Sequence, residues 1–434
     1  MSKIRITTFR AEVTPPLGSP LCAGLITPVE SVLDPLFALG VVLLGEEASI
    51  VLCALDWCEI CNGDHVLWRE GLAAAAQTTP DRVVIQCVHQ HNTPLTDLQA
   101  QAWHREHSIT PDLMDVPSFH AAIARTAEAI RASLPHAQPV THVQTGRAEV
   151  KEVASNRRIL DTEGKSKAIR WSKCVEPEVR AEPEGLIDPF LKTLSFWNGN
   201  QKLAALHYYA VHPMSYYGDG KVTADFVGLA RERRTQEDKG AMHLYFTECA
   251  GNLTVGKYNN GSPENRPVLA ERLYQAMLEA EQNAETSVPD RLEWRVCPLQ
   301  FPPRQDFSAE ELRQRIADTT LTMQARKLAT IQLSFLHRTV AQIPTLLTAL
   351  HLNDDICLLH LPGEAFVEYQ LYAQALRPDA FVAVPSYGDL GMGYIPLEQS
   401  YIEGGYEVTW AFATPASEAL MKQAIDRLVT CSSA

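Results

Sequence analysis

Three short stretches of this chain carry residues whose types and spacing suit chemistry. In "RVVIQCVHQHNTP", residues 82–94, an apolar β-branched run leads to His89 and His91, one residue apart, and is stopped by Asn92 and a proline. Residues two apart on an extended strand share a face, so both imidazoles are expected on one side of the strand's end, as at the start of a metal site. "LHYYAVHPMSYY", 206–217, is a second strand pattern ending in a histidine, His212, stopped by Pro213. "LLHLPGEAFVEYQLYAQAL", 358–376, runs from a strand pattern through Pro-Gly into a helix, with Glu364 in the expected first turn, near the helix's positive end. Histidines and a carboxylate delivered to one rim of an α/β sheet fit a divalent metal site. Each residue also has an ordinary reading, as a structural histidine or a capping carboxylate. His104, His107, His120 and His351 are read as solvated or structural.

Composition narrows what such a site would serve. Lys and Arg number 38 against 52 Asp and Glu, a formal charge of −14, and no long basic run is present. Nucleic acid and anionic membrane surfaces are therefore poor partners, and a small-molecule substrate is expected. The opening "MSKIRITTFRAEVTPPLGSP" has no apolar segment behind its basic residues, and no window approaches the ~20 apolar residues of a membrane span. A cytoplasmic location is expected. The ten cysteines, including Cys58 and Cys61 in a C-x-x-C, lack the paired spacing of a zinc knuckle and are expected as reduced structural thiols. Oligomeric state leaves no mark in the sequence.

The elements that must position these residues follow α/β grammar. Residues 37–46 and 49–57 read as adjacent strands, 64–77 as a helix, and the next strand is expected to end at His89. Further strands are expected at 190–197, 202–211, 242–248, 355–361 and 380–385, with helices at 117–134, 224–238, 264–284 and 415–430. Residues 151–188 read as a charged surface excursion and 308–347 as a helical insertion. With no linker composition and no internal repeat visible, residues 1–434 are expected to form one domain.

Taken in order, these motifs resemble the neutral/alkaline (non-lysosomal) ceramidase family, in particular its short bacterial members. "AEVTPPLGSPLCAG" resembles the family's D-I-T-P-P-x-G segment, "VHQHNTP" its T-H-T-H-S-G-P, and "SNRR" its N-R-S. "HYYAVHPMS" followed by "TADFVG" resembles H-P-x-S-M followed by S-D-x-x-G, "ECAGNLTVGKYN" resembles G-D-x-S-P-N, and "LPGE" and "GYIPLEQSYIEGGYE" match the late glutamate and tyrosine motifs. The resemblance spans residues 11–407.

What it implies is specific. A zinc ion would be held by His89, His212, Glu364 and Tyr394, leaving room for a water of raised acidity. His91 would handle protons, Tyr406 would help stabilise an oxyanion, and Arg157 would position or polarise substrate. Where the family has aspartate, serine and then proline in its G-D-x-S-P-N, this chain has Asn252, Thr254 and Val255, so Thr254 stands at the catalytic serine's position. The implied fold is a zinc-hydrolase-like α/β catalytic domain of mixed sheets with flanking helices, without the C-terminal immunoglobulin-like domain of the long ceramidases. The implied chemistry is metal-dependent hydrolysis of an amide or ester in a small polar substrate, such as a carbohydrate derivative. A metal-dependent lyase or isomerase using Tyr406 or His91 for proton transfer is the alternative, ahead of a true ceramidase or a non-catalytic metal-binding protein. The ligand types would also accept iron, manganese or nickel.

Overall fold

The computed structural model describes residues 4–430. Its three main sheets repeat one path. In each, three consecutive strands pair antiparallel and a crossover helix then adds a fourth strand parallel to the third. The first unit runs through Arg5–Glu12, Phe37–Leu44, Ile50–Leu55, helix Gly63–Ala76 and strand Val83–Cys87. In the second, His142–Glu149, Phe190–Asn198 and Gln201–Tyr209 lead to helix Asp225–Glu237 and strand Met242–Thr247. The third uses Glu293–Leu299, Thr345–Asn353, Ile356–His360, helix Val367–Ala375 and strand Phe381–Ala383. A closing helix, Val116–Ser133, Asn265–Gln282 or Ser417–Val429, packs on each unit's first strand. The repeat lies in topology alone, because a strand-order pattern needs only matching apolar periodicity, not matching residues.

Burial explains which strands the sequence announces. Phe37–Leu44 and Ile50–Leu55 are buried almost throughout. Leu39, Val41, Leu43 and Leu52 join Leu194, Leu206, Leu350 and Leu358 in one cluster where the sheets meet, while Val42, Val51 and Cys53 belong to a second cluster with Trp68 and Phe119 of the flanking helices. Strands covered on both faces read as continuous apolar runs. The first strands of the units alternate buried and exposed positions, or are only half-buried, and carry polar residues such as Thr7, Arg147 and Arg295. Their sequences give no comparable run.

Third and fourth strands are parallel in every unit, so their carboxyl ends deliver loops to the same rim, where α/β sites form. The long connections between first and second strands, residues 13–36, 150–189 and 300–344, also reach that region: Cys22, Arg157, Trp171 and Lys327 all line one cavity. Residues 151–188 contain paired strands Arg158–Leu160 and Ser166–Ile169, with Arg157 and Arg170 buried. Within 308–347 the helices are Ala309–Ala317 and Met323–Val340, and Thr345 already begins a strand. No helix among the described residues is long and apolar enough to cross a membrane.

Candidate metal centre

His89 and His91 do not continue a strand. The ladder stops at Cys87, and His89 adopts a φ of 74°, a region that non-glycine residues rarely occupy. It is held there by its amide, which donates to Trp57 O at 3.0 Å, and by its ring Nδ1, 2.8 Å from Cys58 O. The two imidazoles still approach, with ring centroids 4.7 Å apart. A turn, rather than strand alternation, brings them together.

His212 follows the third strand of the second unit, with Nδ1 2.8 Å from Ala250 O. A carbonyl only accepts, so both histidines donate from Nδ1 and turn unprotonated Nε2 atoms inward. Glu364 is not in a helical turn. It opens a two-residue strand, Glu364–Ala365, paired in parallel with Tyr394–Ile395, and the helix begins only at Val367. Two glycines set its backbone: Gly363 has a φ of 63°, and a Cβ on Gly251 would lie 2.3 Å from Glu364 O.

Three acceptor atoms thereby meet. His89 Nε2 is 3.2 Å from His212 Nε2, and Glu364 Oε2 is 3.3 Å and 3.1 Å from the two nitrogens. Glu364 Oε2 is buried and has no hydrogen-bond partner. A tetrahedral ion with bonds of about 2.0–2.1 Å separates its ligands by about 3.3 Å, so the triangle fits a divalent cation. Burial pushes His212 down to about 4 against the opposing Glu364 contact, so it is uncharged at neutral pH.

The other expected residues surround this triangle. His91 lines the cavity, its Nδ1 3.0 Å from His89 O, and burial followed by its two histidine neighbours holds it well below its usual pKa. A ring nitrogen of each of His89, His91 and His212 lies within 4.8 Å of the other two. Arg157 is buried; its Nε donates to Glu407 Oε1 at 2.8 Å and its Nη2 to Gly251 O at 2.6 Å. Its guanidinium carbon sits 5.0 Å from the Tyr394 ring and 5.6 Å from the Tyr406 ring. Tyr394 is placed beside Glu364 by the strand register, and Tyr406 lines the cavity against Trp171. Thr254 is fully buried, and its hydroxyl is engaged with the Ser172 hydroxyl at 3.1 Å. Asn252 serves the backbone here: its Oδ1 accepts from Val367 N, and its Nδ2 donates to Glu368.

Sequence reasoning missed three neighbours. Tyr387 is the tyrosine that touches the histidines, its ring 4.4 Å from that of His89 and its hydroxyl 3.4 Å from His212 Nδ1. Glu407 anchors Arg157, and Glu59 lies on the cavity wall. The cavity encloses about 890 Å³ and is lined by aromatic rings, including Trp171, Tyr406 and Trp410, together with charged side chains such as Glu59 and Lys327. Another grouping of possible ligands, His207, His243 and Glu281, is engaged with neighbouring charges at every residue, although Glu281 Oε1 itself has no hydrogen-bond partner. His207 and His243 nitrogens pair at 2.8 Å, His243 reaches Asp238, and Lys202 and Arg234 occupy Glu281.

No protein-family model matches the sequence, and no curated protein does. Solved structures do match. The neutral ceramidase from Pseudomonas aeruginosa superposes with a TM-score of 0.71 at 16% identity, over 100% of this chain and 76% of that one. A ceramidase complexed with C2 gives the same score and identity, over 100% of this chain and 77% of that one. The chain therefore has a neutral ceramidase-like fold along its whole length.

Proposed function

We propose that this protein is a metal-dependent hydrolase of an amide or ester bond in a small polar molecule, such as an N-acyl sugar or N-acyl amino acid. The observation that carries the reading is the convergence of His89 Nε2, His212 Nε2 and the unpartnered Glu364 Oε2 beside a cavity of about 890 Å³. That volume lies within the range of small-molecule pockets, roughly 300–1,000 Å³. Its charged wall residues favour a polar substrate over a purely hydrocarbon one.

His89, His212 and Glu364 would hold the ion, with Tyr394 beside Glu364 as the fourth ligand, and zinc is the ion we assign. When bound, a divalent cation supplies Lewis acidity, acidifying water and polarising a carbonyl. His91 is the proton carrier: it is uncharged, it faces the cavity, and its Nε2 is open because Nδ1 is engaged with His89 O. Arg157, fixed by Glu407 and Gly251 O, offers positive charge where an oxyanion develops. Tyr406 keeps its proton because burial raises its pKa, so its hydroxyl donates to the same oxygen.

Metal analysis of freshly purified protein, with a screen of N-acyl sugars, N-acyl amino acids and ceramide analogues in 18O-labelled water, tests the reading. Hydrolysis incorporates label into the acid product. An unsaturated, unlabelled product identifies a lyase instead, and protein purified without stoichiometric metal that also binds none on addition overturns the site.

A further inference from the structure

Glu59 occupies in the first unit the position that Glu364 occupies in the third. Each stands four residues beyond the end of its third strand, Leu55 or His360. Each opens a two-residue strand paired in parallel with another that follows the fourth strand: Glu59–Ile60 with Leu95–Thr96, and Glu364–Ala365 with Tyr394–Ile395. The same topological device therefore delivers two carboxylates to one region. Glu364 meets the histidine pair. Glu59 lies on the cavity wall beside Cys58, and a ligand atom from each of Cys58, Glu59 and His89 falls within 4.8 Å of the others.

Glu59 is half-buried, and its carboxylate accepts from a thiol, Cys61 Sγ at 3.6 Å. Cys58 carries a free thiol in contact with that of Cys22, itself on the cavity wall and held at a φ of 46°. Two carboxylates and two thiols facing one another are an arrangement that positive charge relieves.

We propose that Cys58 and Glu59, with Cys22 within reach, form a second cation site on the cavity wall, adjoining the His89–His212–Glu364 set and taking a thiolate-binding divalent ion such as Zn2+ or Co2+. On binding, the Cys58 S–H bond breaks, its proton leaves to solvent, and a sulfur–metal bond forms with no change of oxidation state. The site adjoins the metal site of the proposed function without depending on it, and the two are separable by experiment.

The protein is stripped with chelator and titrated with Co2+, following bound metal and the electronic spectrum. Two equivalents are expected, one of them producing a thiolate-to-cobalt charge-transfer band in the near ultraviolet. Cys58→Ser should remove the band and one equivalent, whereas His212→Ala should remove the other equivalent and keep the band. The wild-type spectrum is decisive even where a variant misfolds. One equivalent with no charge-transfer band overturns the second site and leaves the first standing. A second equivalent that survives in Cys58→Ser, as binding at His207 and His243 would, also overturns it. A charge-transfer band in a protein that binds one equivalent, retained in His212→Ala, sustains the thiolate site and overturns the histidine site.

Discussion

Arg157 Nε donates to Glu407 Oε1 across 2.8 Å, and the adjacent Arg158 donates to the other oxygen of that carboxylate at 2.7 Å. Glu407 is fully buried, and the two arginine side chains are 6% exposed. Glu407 thus bridges two buried guanidiniums, of which Arg158 also pairs with Glu403 at 3.0 Å, and fixes Arg157, whose main carboxylate partner it is, at the cavity. Removing it leaves charge without a partner, and breaking a buried pair in this way typically costs about 3–5 kcal/mol. Glu407→Ala should lose stability of that order in urea unfolding, and Glu407→Gln, which keeps the shape, should lose less. Metal content of the folded variants should match the wild type, because Glu407 is not among the atoms of the histidine–glutamate triangle. A Glu407→Ala protein as stable as the wild type would show the pair to be idle.

Gly251 tests how the site is built. Its absent side chain lets the 251–254 segment lie against Glu364, and a Cβ there would meet Glu364 O at 2.3 Å. Gly251→Ala must displace backbone, including the carboxylate it carries. Disturbing the groups that orient a metal ligand commonly costs 10–100-fold in affinity. Competition with a chelator should therefore show weaker zinc binding in Gly251→Ala at near-normal secondary structure. Unchanged affinity would mean that Glu364 is positioned by other contacts.

Buried uncharged histidines fix the acid limit of the fold. Burial pushes His65 down to about 4, against the pull of Asp389, and His360 down to about 3. An unfolded histidine titrates near 6.5. Between these values the unfolded chain binds more protons, so the stabilisation is fully present above about pH 6.5 and is lost as pH falls toward 4. Metal-free protein should lose on the order of a few kcal/mol of unfolding free energy over that interval. His360→Gln should show a shallower slope. A flat profile from pH 6.5 to 4 would contradict the assignment.

Much of this was legible in the residues. His89, His212 and Glu364 stand just beyond apolar strands, and an abrupt polar residue after such a run is visible without a structure. Tyr387 and Glu59 occupy comparable loops, but a tyrosine or glutamate there has many ordinary roles, and only packing shows that Tyr387 contacts both His89 and His212. Glu407 was hidden for another reason: its partner Arg157 lies 250 residues away in sequence. The first strands of the units, such as His142–Glu149, were not announced because their partly exposed pattern lacks an apolar run. Glu364 reads as part of a helix because Pro-Gly before an amphipathic pattern resembles a helix start, whereas its pairing with Tyr394 depends on a segment 30 residues on.

His91 and His89 separate ligation from proton transfer. Both rings adjoin His212, yet their Nδ1 atoms are engaged differently: His89 binds Cys58 O and turns Nε2 to Glu364, while His91 binds the His89 carbonyl and lines the cavity. If His91 only carries protons, His91→Ala should keep close to the wild-type metal content and lower kcat by roughly 10²–10⁴-fold, the usual contribution of a general acid or base. His89→Ala should lose metal and activity together, since it removes one corner of the triangle. The proximity of His91 to both His89 and His212 also allows a third nitrogen donor, and that arrangement predicts a different pair of results. Loss of metal from His91→Ala in step with His89→Ala would make His91 a ligand. Retained metal with full activity would leave it a strut for the turn that holds His89 at its positive φ. Elemental analysis and steady-state kinetics on the two single variants distinguish all three.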